Sequence, residues 1–352
     1  MRADSSITAS LFSSPGALRS AFETGLSDLL TQYDELGTFI LALANAASEQ
    51  HLWDTLREPL AAGFNRFACS MGARVRAGLV LDDAQDDLQV FRKLLALGFG
   101  ELSATEYRQA GCWELQYNPL RSLRPARLTD SSAPGISIPF NADDFNFNKP
   151  FLRKEILWQG WLAGRHAALF YNKYPIIELH GLLVPQPRHE LPQLLTQRDN
   201  EYLWRLTGEL SGTLPGIGFG YNSYGACASI NHLHFQMFHR ERPLPVADSR
   251  WRHNGGGEAY PVSCHSFNSP AEAWQQISGL HDSGTSYNLI YLPDRVYCLP
   301  RKKQGSYDHA KWVGGIAWYE LAGGFTLFSR EDFERLDKGD LESELSRVSL
   351  SA

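Results

Sequence analysis

The sequence predicts an α+β fold with an antiparallel sheet, on three observations. Apolar residues in the first hundred positions recur at helical spacing. From Cys112 onward the texture changes to short strands broken by turn residues, and nowhere does the regular strand–helix–strand alternation of a parallel sheet occur. At 352 residues, 43% hydrophobic and 12% aromatic, the chain can bury a core in one large or two fused domains, which excludes global disorder.

Leu18, Phe22, Leu26, Leu29, Leu30, Tyr33 and Leu36 form one stripe of an amphipathic helix. Gly37 and Pro59 punctuate the region, and Leu88, Phe91, Leu94 and Leu95 resume helical spacing. No recognisable chemistry lies here, so residues 1–105 read as a helical structural cap. A loop at 131–135 precedes the alternation Ile136, Ile138, Phe140, and buried strands follow at 167–171 and 182–184. A helix is expected over about 191–210, then a Gly-rich stretch leading into a strand over 230–238. After Pro243 and Pro245 a second half carries strands at 287–292 and 296–299. The organisation expected is a helical region 1–105, a catalytic half 106–245, a second half 246–340 and a flexible tail 341–352.

Charge narrows the partners. Thirty-three Lys plus Arg against thirty-nine Asp plus Glu give a net charge of -6, which argues against nucleic-acid binding through bulk charge. The longest apolar stretch, around residues 39–47, is too short to cross a bilayer, so no membrane partner is expected. Five scattered cysteines with no C-x-x-C pair suit reduced, buried thiols in a cytoplasmic protein.

The chemistry is concentrated in Ser229-Ile230-Asn231-His232-Leu233-His234-Phe235-Gln236-Met237-Phe238. On a strand, His232, His234 and Gln236 project to one face while Leu233, Phe235 and Met237 project into a core. The glycines upstream (Gly216, Gly218, Gly220, Gly225) supply backbone able to approach a phosphate closely. Three readings compete: satisfied packing histidines, a metal site needing a third ligand from His180, His189 or His239, and nucleophilic attack by a neutral imidazole on a phosphoanhydride. Cationic candidates to receive phosphate are Arg121, Arg124, Lys149, Arg153, Lys154 and the run Arg301, Lys302, Lys303; Trp113, Tyr117, Phe145 and Phe147 could stack on a purine or serve as core.

The stretch from Phe219-Gly220-Tyr221-Asn222-Ser223-Tyr224-Gly225 through His232-Leu233-His234-Phe235-Gln236 resembles the GDP-hexose phosphorylases, the GDP-L-galactose and GDP-D-glucose phosphorylases of the histidine-triad superfamily, in the galactose-1-phosphate uridylyltransferase branch. Gln116-Tyr117-Asn118 with Arg121 and Arg124, Phe145-Asn146-Phe147-Asn148-Lys149, and His180-Gly181-Leu182-Leu183-Val184-Pro185 add weaker matches; the likeness covers about residues 110 to 335. It implies a histidine-triad-like antiparallel half-barrel with flanking helices, loosely duplicated. It also implies phosphorolysis of a GDP-hexose to hexose 1-phosphate and GDP through a nucleotidyl-histidine. His234 corresponds to the nucleophile, and His232 and Gln236 to its neighbours. Asn222 and Ser229 correspond to positions that hold phosphate oxygens, and Gly225, Lys149, Arg121 and Arg124 are further substrate-binding candidates. The partners implied are the nucleotide sugar and inorganic phosphate, with a homodimer left open; no cofactor and no metal are expected, the paired cysteines of the zinc-bearing relatives being absent. Transfer to another acceptor, a sugar phosphate or specialised metabolite, and a non-catalytic nucleotide-binding protein stand as alternatives.

Overall fold

The computed structural model of this chain describes residues 11–123 and 135–350, and among them four α-helices lie between Pro15 and Leu97. Helix α1 (Pro15–Gln32) starts where the Ser14 hydroxyl accepts a hydrogen bond from the Ala17 N–H at 3.1 Å, and Pro15 sits where a missing N–H costs nothing. It buries Leu18, Phe22, Leu26 and Leu29, but the expected stripe breaks after Gln32, and Leu36 opens the next helix. That helix, α2 (Leu36–Ala46), is buried along nearly all its length. Pro59 does not punctuate: it lies inside α3 (Gln50–Arg76), held there by the packing of Leu52, Trp53, Leu56 and Leu60. Helix α4 (Gln85–Leu97) buries Leu88, Phe91 and Leu94.

Two sheets follow. Strands β1 (Glu106–Ala110) and β2 (Trp113–Tyr117) form a hairpin that recruits β11 (Gly324–Leu327) in parallel to β2. The large sheet contains β3 (Ile156–Leu162), β4 (Arg165–Tyr171), β5 (Gly181–Pro185), β6 (Ile217–Asn222), β7 (Phe235–His239), β8 (His265–Phe267), β9 (Tyr287–Leu292) and β10 (Arg295–Pro300). Their order is β3-β4-β5-β7-β6-β9-β10-β8, every neighbouring pair antiparallel. The remaining helices are α5 (Gln197–Ser211), α6 (Pro270–Asp282), α7 (Trp318–Leu321), α8 (Arg330–Arg335) and α9 (Lys338–Val348).

A strand–helix–strand–strand unit occurs twice. β5, α5, β6 and β7 lie in sheet order β5-β7-β6; β8, α6, β9 and β10 lie in the order β8-β10-β9, and the two units meet edge to edge at β6 and β9. The architecture is thus mixed α+β with antiparallel strands, as the sequence predicts.

Several boundaries differ from expectation. Residues 136–140 form no strand, and helix α5 begins at Gln197 rather than near 191. A reciprocal cap sets that start: the Thr196 hydroxyl accepts from the Asp199 N–H, and Asp199 accepts from the Thr196 N–H at 3.0 Å. The segment expected as a flexible tail is helical through Val348, with Leu341, Leu345 and Val348 buried. Strand β11, within the expected second half, pairs with β2 of the first.

The helical region packs against the large sheet. Its apolar side shares one continuous core with the back of the large sheet, a cluster that holds Leu183, Phe219, Phe235, Met237 and Leu289 together with Phe22, Leu26, Ile40 and Phe91. Polar ties reinforce the junction: Asn45 Nδ2 donates to the Asn172 carbonyl at 2.9 Å, and Lys173 pairs with Asp87 at 2.6 Å. Of the five free cysteines, Cys298 is buried and Cys69 exposed, so burial of the thiols holds only in part.

Glu155 lies in this junction among Lys173, Lys154 and Asp87, and burial, only partly offset by the lysines, pushes its pKa up to about 7. The unfolded chain ionises Glu155 near the ordinary carboxylate value of 4.5 while the folded chain holds the proton. The favourable contribution is therefore complete below 4.5 and is lost as pH rises through about 7. Glu155→Gln should raise the thermal midpoint at pH 8 while changing it little at pH 4.5; equal shifts at both pH values would refute the assignment.

Candidate active site

The loop between β6 and β7 carries the motif. It opens with a turn in which the Ala226 N–H donates to the Ser223 carbonyl at 2.9 Å. At Gly225 φ is +78°, and a side chain there would meet Ser286 Oγ at 2.7 Å, so the position requires glycine twice over. The strand expected over 230–238 begins only at Phe235, because a neighbouring segment replaces the ladder upstream of it. The Gln193 carboxamide donates to the carbonyls of Asn222 (3.0 Å) and His234 (3.2 Å), and its Oε1 accepts from the His234 N–H at 2.9 Å. The Leu233 N–H donates to the Leu191 carbonyl at 2.8 Å. Only Gln236 of the three polar motif residues is therefore on the strand. The apolar alternation still holds, with Leu233, Phe235 and Met237 fully buried against the back core.

His234 is 5% exposed. Its Nδ1 lies 2.8 Å from the His232 carbonyl oxygen. A carbonyl can only accept, so Nδ1 carries the proton and Nε2 holds the free lone pair. Burial lowers the His234 pKa to about 4, against a smaller opposing pull from the His232 carbonyl, so the ring is neutral at neutral pH. His232 takes the opposite tautomer: its Nδ1 accepts from the Phe147 N–H at 3.2 Å. Its pKa is likewise lowered to about 4, by burial first and then by His234. The buried His232 Nε2 makes no hydrogen bond; the Pro187 carbonyl attracts its proton without reaching bonding geometry. Phe147 stands beside both imidazoles, at ring-centroid distances of 5.6 Å and 5.2 Å. Phe147 is thus a wall of the site, whereas Trp113 is fully buried core stacked on Trp251.

Gln236, half-buried, accepts from the Trp318 indole N–H at 2.7 Å. Indole nitrogen is donor-only, so the contacting atom is Oε1 and the amide nitrogen of Gln236 is turned the other way. Asn222 is 4% exposed at the end of β6; its Oδ1 accepts from Asn288 Nδ2 (2.6 Å) and from the Trp318 backbone N–H (3.0 Å), so only its amide hydrogens can serve a ligand.

The other candidates divide. Gly225 and exposed Ser229 lie on the motif loop. Lys149 belongs to the loop that carries Phe147, but its ammonium donates to the carbonyls of Ala142 (2.8 Å) and Asp143 (3.1 Å), closing that loop. Arg121 is a correction: its guanidinium is buried, donates to Gln116 Oε1 (2.9 Å) and the Pro175 carbonyl (3.1 Å), and makes no contact with the histidine group. Arg124 falls outside the described residues. Arg301 is 1% exposed and pins the carbonyls of Ile316 and Lys302, while Lys302 donates to the Arg347 carbonyl. Among the described residues no three His, Cys, Asp or Glu side chains converge as metal ligands. Sequence reasoning missed Gln193, which has no motif around it, and Trp318, which lies far along the chain from the motif.

Residues 113–238, which hold the whole motif loop, match the family described as GDPGP1-like, N-terminal domain. Over these residues the chain is similar to the GDP-hexose phosphorylases. Similar proteins include GDP-D-glucose phosphorylase 1 of Danio rerio, 35% identical over 31% of this chain and 32% of that protein. GDP-L-galactose phosphorylase 2 of Arabidopsis thaliana is 29% identical over 67% of this chain and 64% of its own length. The matched stretches thus span between about a third and just under two thirds of these relatives. Among solved structures, yeast Ap4A phosphorylase Apa2 superposes with a TM-score of 0.48 at 16% identity, covering 77% of this chain and 96% of that one. No described helix is long and apolar enough to cross a membrane.

Proposed function

We propose that this chain is a nucleotide-sugar phosphorylase that converts a GDP-hexose and inorganic phosphate into hexose 1-phosphate and GDP. The observation that carries the reading is the bond from His234 Nδ1–H to the His232 carbonyl, which leaves an uncharged ring with its lone pair on Nε2. His234 Nε2 attacks the α-phosphorus, a P–N bond forms, and the bond from that phosphorus to the bridging oxygen breaks. The oxygen leaves on hexose 1-phosphate, which needs no proton because its charge spreads over a phosphate. A phosphate oxygen then attacks the same phosphorus, the P–N bond breaks, and GDP leaves with the His234 lone pair restored. The Gln236 and Asn222 amides donate to non-bridging oxygens, Gly225 and Ser229 shape the cradle, and Lys149 acts through the loop that bears Phe147.

The finer architecture belongs to the same proposal. The twice-used strand–helix–strand–strand unit supports reading the large sheet as two histidine-triad-like half-barrel halves, the catalytic one within 106–245 and the second from 246 onward.

Intact-protein mass tests the chemistry. In phosphate-free buffer, GDP-glucose or GDP-galactose should add one GMP unit, mapped to His234, and inorganic phosphate should discharge it as GDP. Discharge only by hexose 1-phosphate would make the chain a transferase with another acceptor. Tight GDP binding with no adduct would make it a nucleotide-binding protein.

A further inference from the structure

We infer that Trp318 is a positioning residue for the transfer step, a role that rests on the phosphorylase reading above and extends it. A carboxamide has two ends of nearly equal shape and opposite polarity. Presented to a phosphoryl oxygen, the amide end attracts and the carbonyl end repels. Nothing in Gln236 itself chooses between them. The Trp318 indole N–H does, since at 2.7 Å it holds Oε1 and so turns the amide nitrogen outward.

The indole is in turn immobilised on several sides. It stacks on Phe238, with ring centroids 5.1 Å apart and planes 11° apart, and meets His180 edge-on at 6.5 Å. It lies against the backbone of β6 at Gly220, where a Cβ would stand 2.3 Å from the ring, so glycine there makes room for tryptophan. The backbone N–H of Trp318 holds Asn222 Oδ1 at 3.0 Å, tying the second proposed phosphate ligand to the same residue. The segment before it is fixed as well: Glu320 accepts from the Ala317 N–H at 3.0 Å, and Arg301 holds the Ile316 carbonyl. One residue thereby sets the polarity that two motif side chains offer to the phosphate.

The test is a double-mutant cycle on the full chain, with Trp318→Phe, Gln236→Ala and both together. Phenylalanine keeps an aromatic ring over Gly220 and against Phe238 but has no N–H. Trp318→Phe should lower kcat/KM by roughly 10- to 100-fold, the scale of one hydrogen bond to a charged oxygen. In the Gln236→Ala background it should cost less than about 2-fold, because the group through which it acts is gone. Equal losses in both backgrounds, or no loss from Trp318→Phe in an otherwise active enzyme, overturn the inference and leave the phosphorylase reading standing. A wild-type chain that forms no nucleotide adduct removes both. Should Trp318→Phe not fold, hydrogen exchange of the Trp318 indole N–H decides: Gln236→Ala should speed it markedly, and an unchanged rate overturns the inference.

Discussion

Replacement of His234 by alanine should cut turnover by on the order of 10⁴-fold or more, the usual consequence of removing a covalent nucleophile. GDP should still bind, because the Gln193 contacts to this residue are to its backbone N–H and carbonyl, which alanine retains. His234→Asn should fail equally, since an amide nitrogen has no free lone pair to offer. Near-normal turnover in either variant would end the phosphorylase proposal. The pH profile gives a second reading of the same group. A solvated imidazole would lose its lone pair as pH falls through 6.5. The His234 pKa lies near 4 because burial penalises the imidazolium, so kcat should hold through pH 6.5 and 5.5, falling only as pH nears 4. Stability moves the other way. The unfolded chain takes up protons on His232 and His234 below about 6.5 and the folded chain does not until about 4, so stability is present above 6.5 and lost as pH falls between those values. Short initial-rate assays at pH 5, beside a thermal midpoint at the same pH, separate the two effects. An acid limb centred near 6.5 would mean that the working ring is wet and charged, contrary to the site described.

What could be read in the sequence was whatever depends on neighbours along the chain. Leu233, Phe235 and Met237 alternate with polar residues, and period-two alternation is enough to assign a buried face wherever the strand begins. The 287–292 strand has the same bounds in the structure, since β9 is a run of buried aromatic and aliphatic residues in the middle of a sheet. The start of β7 was not legible, because it depends on Gln193, some forty positions upstream, taking the hydrogen bonds that a strand partner would otherwise make. Trp318 was out of reach for the same reason, since its indole meets Gln236 across 82 residues of chain. Arg121 shows the limit of residue type as a guide: arginine suits phosphate, but this guanidinium is enclosed by Gln116 and Pro175. Pro59 shows local propensity overridden, its lost hydrogen bond outweighed by the apolar side of α3.

The largest stability effect is expected at Glu114. This carboxylate is 2% exposed on β2; it accepts from Arg240 Nη2 at 2.8 Å and from the Tyr319 hydroxyl at 2.7 Å. Arg240 directly follows β7 and is 5% exposed, with Nε and Nη1 buried and unpartnered, so Glu114 is the carboxylate that its guanidinium bonds to among the described residues. Burial works against that charge, yet Tyr319, Glu114 and Glu178 together hold the Arg240 pKa above its ordinary value. Glu114→Ala would strand the guanidinium in a dry interior, at a cost of ~3–5 kcal/mol. The pair Arg330–Glu106 is the control: it has similar chemistry, but its side chains are 46% and 42% exposed, and Glu106→Ala should cost no more than ~1 kcal/mol. Burial, not the number of hydrogen bonds, separates the two cases. Replacing both partners, Glu114→Met with Arg240→Met, should recover most of the loss, because no buried charge is then left alone. Denaturant unfolding of the three variants checks the ordering, and equal midpoints for Glu114→Ala and Glu106→Ala would show the Arg240 site to be hydrated. The pair also bears on the proposed chemistry. Tyr319, which follows Trp318, and Arg240, which directly follows the strand bearing Gln236, both reach the same carboxylate, so Glu114→Ala should lower kcat even where the chain remains folded.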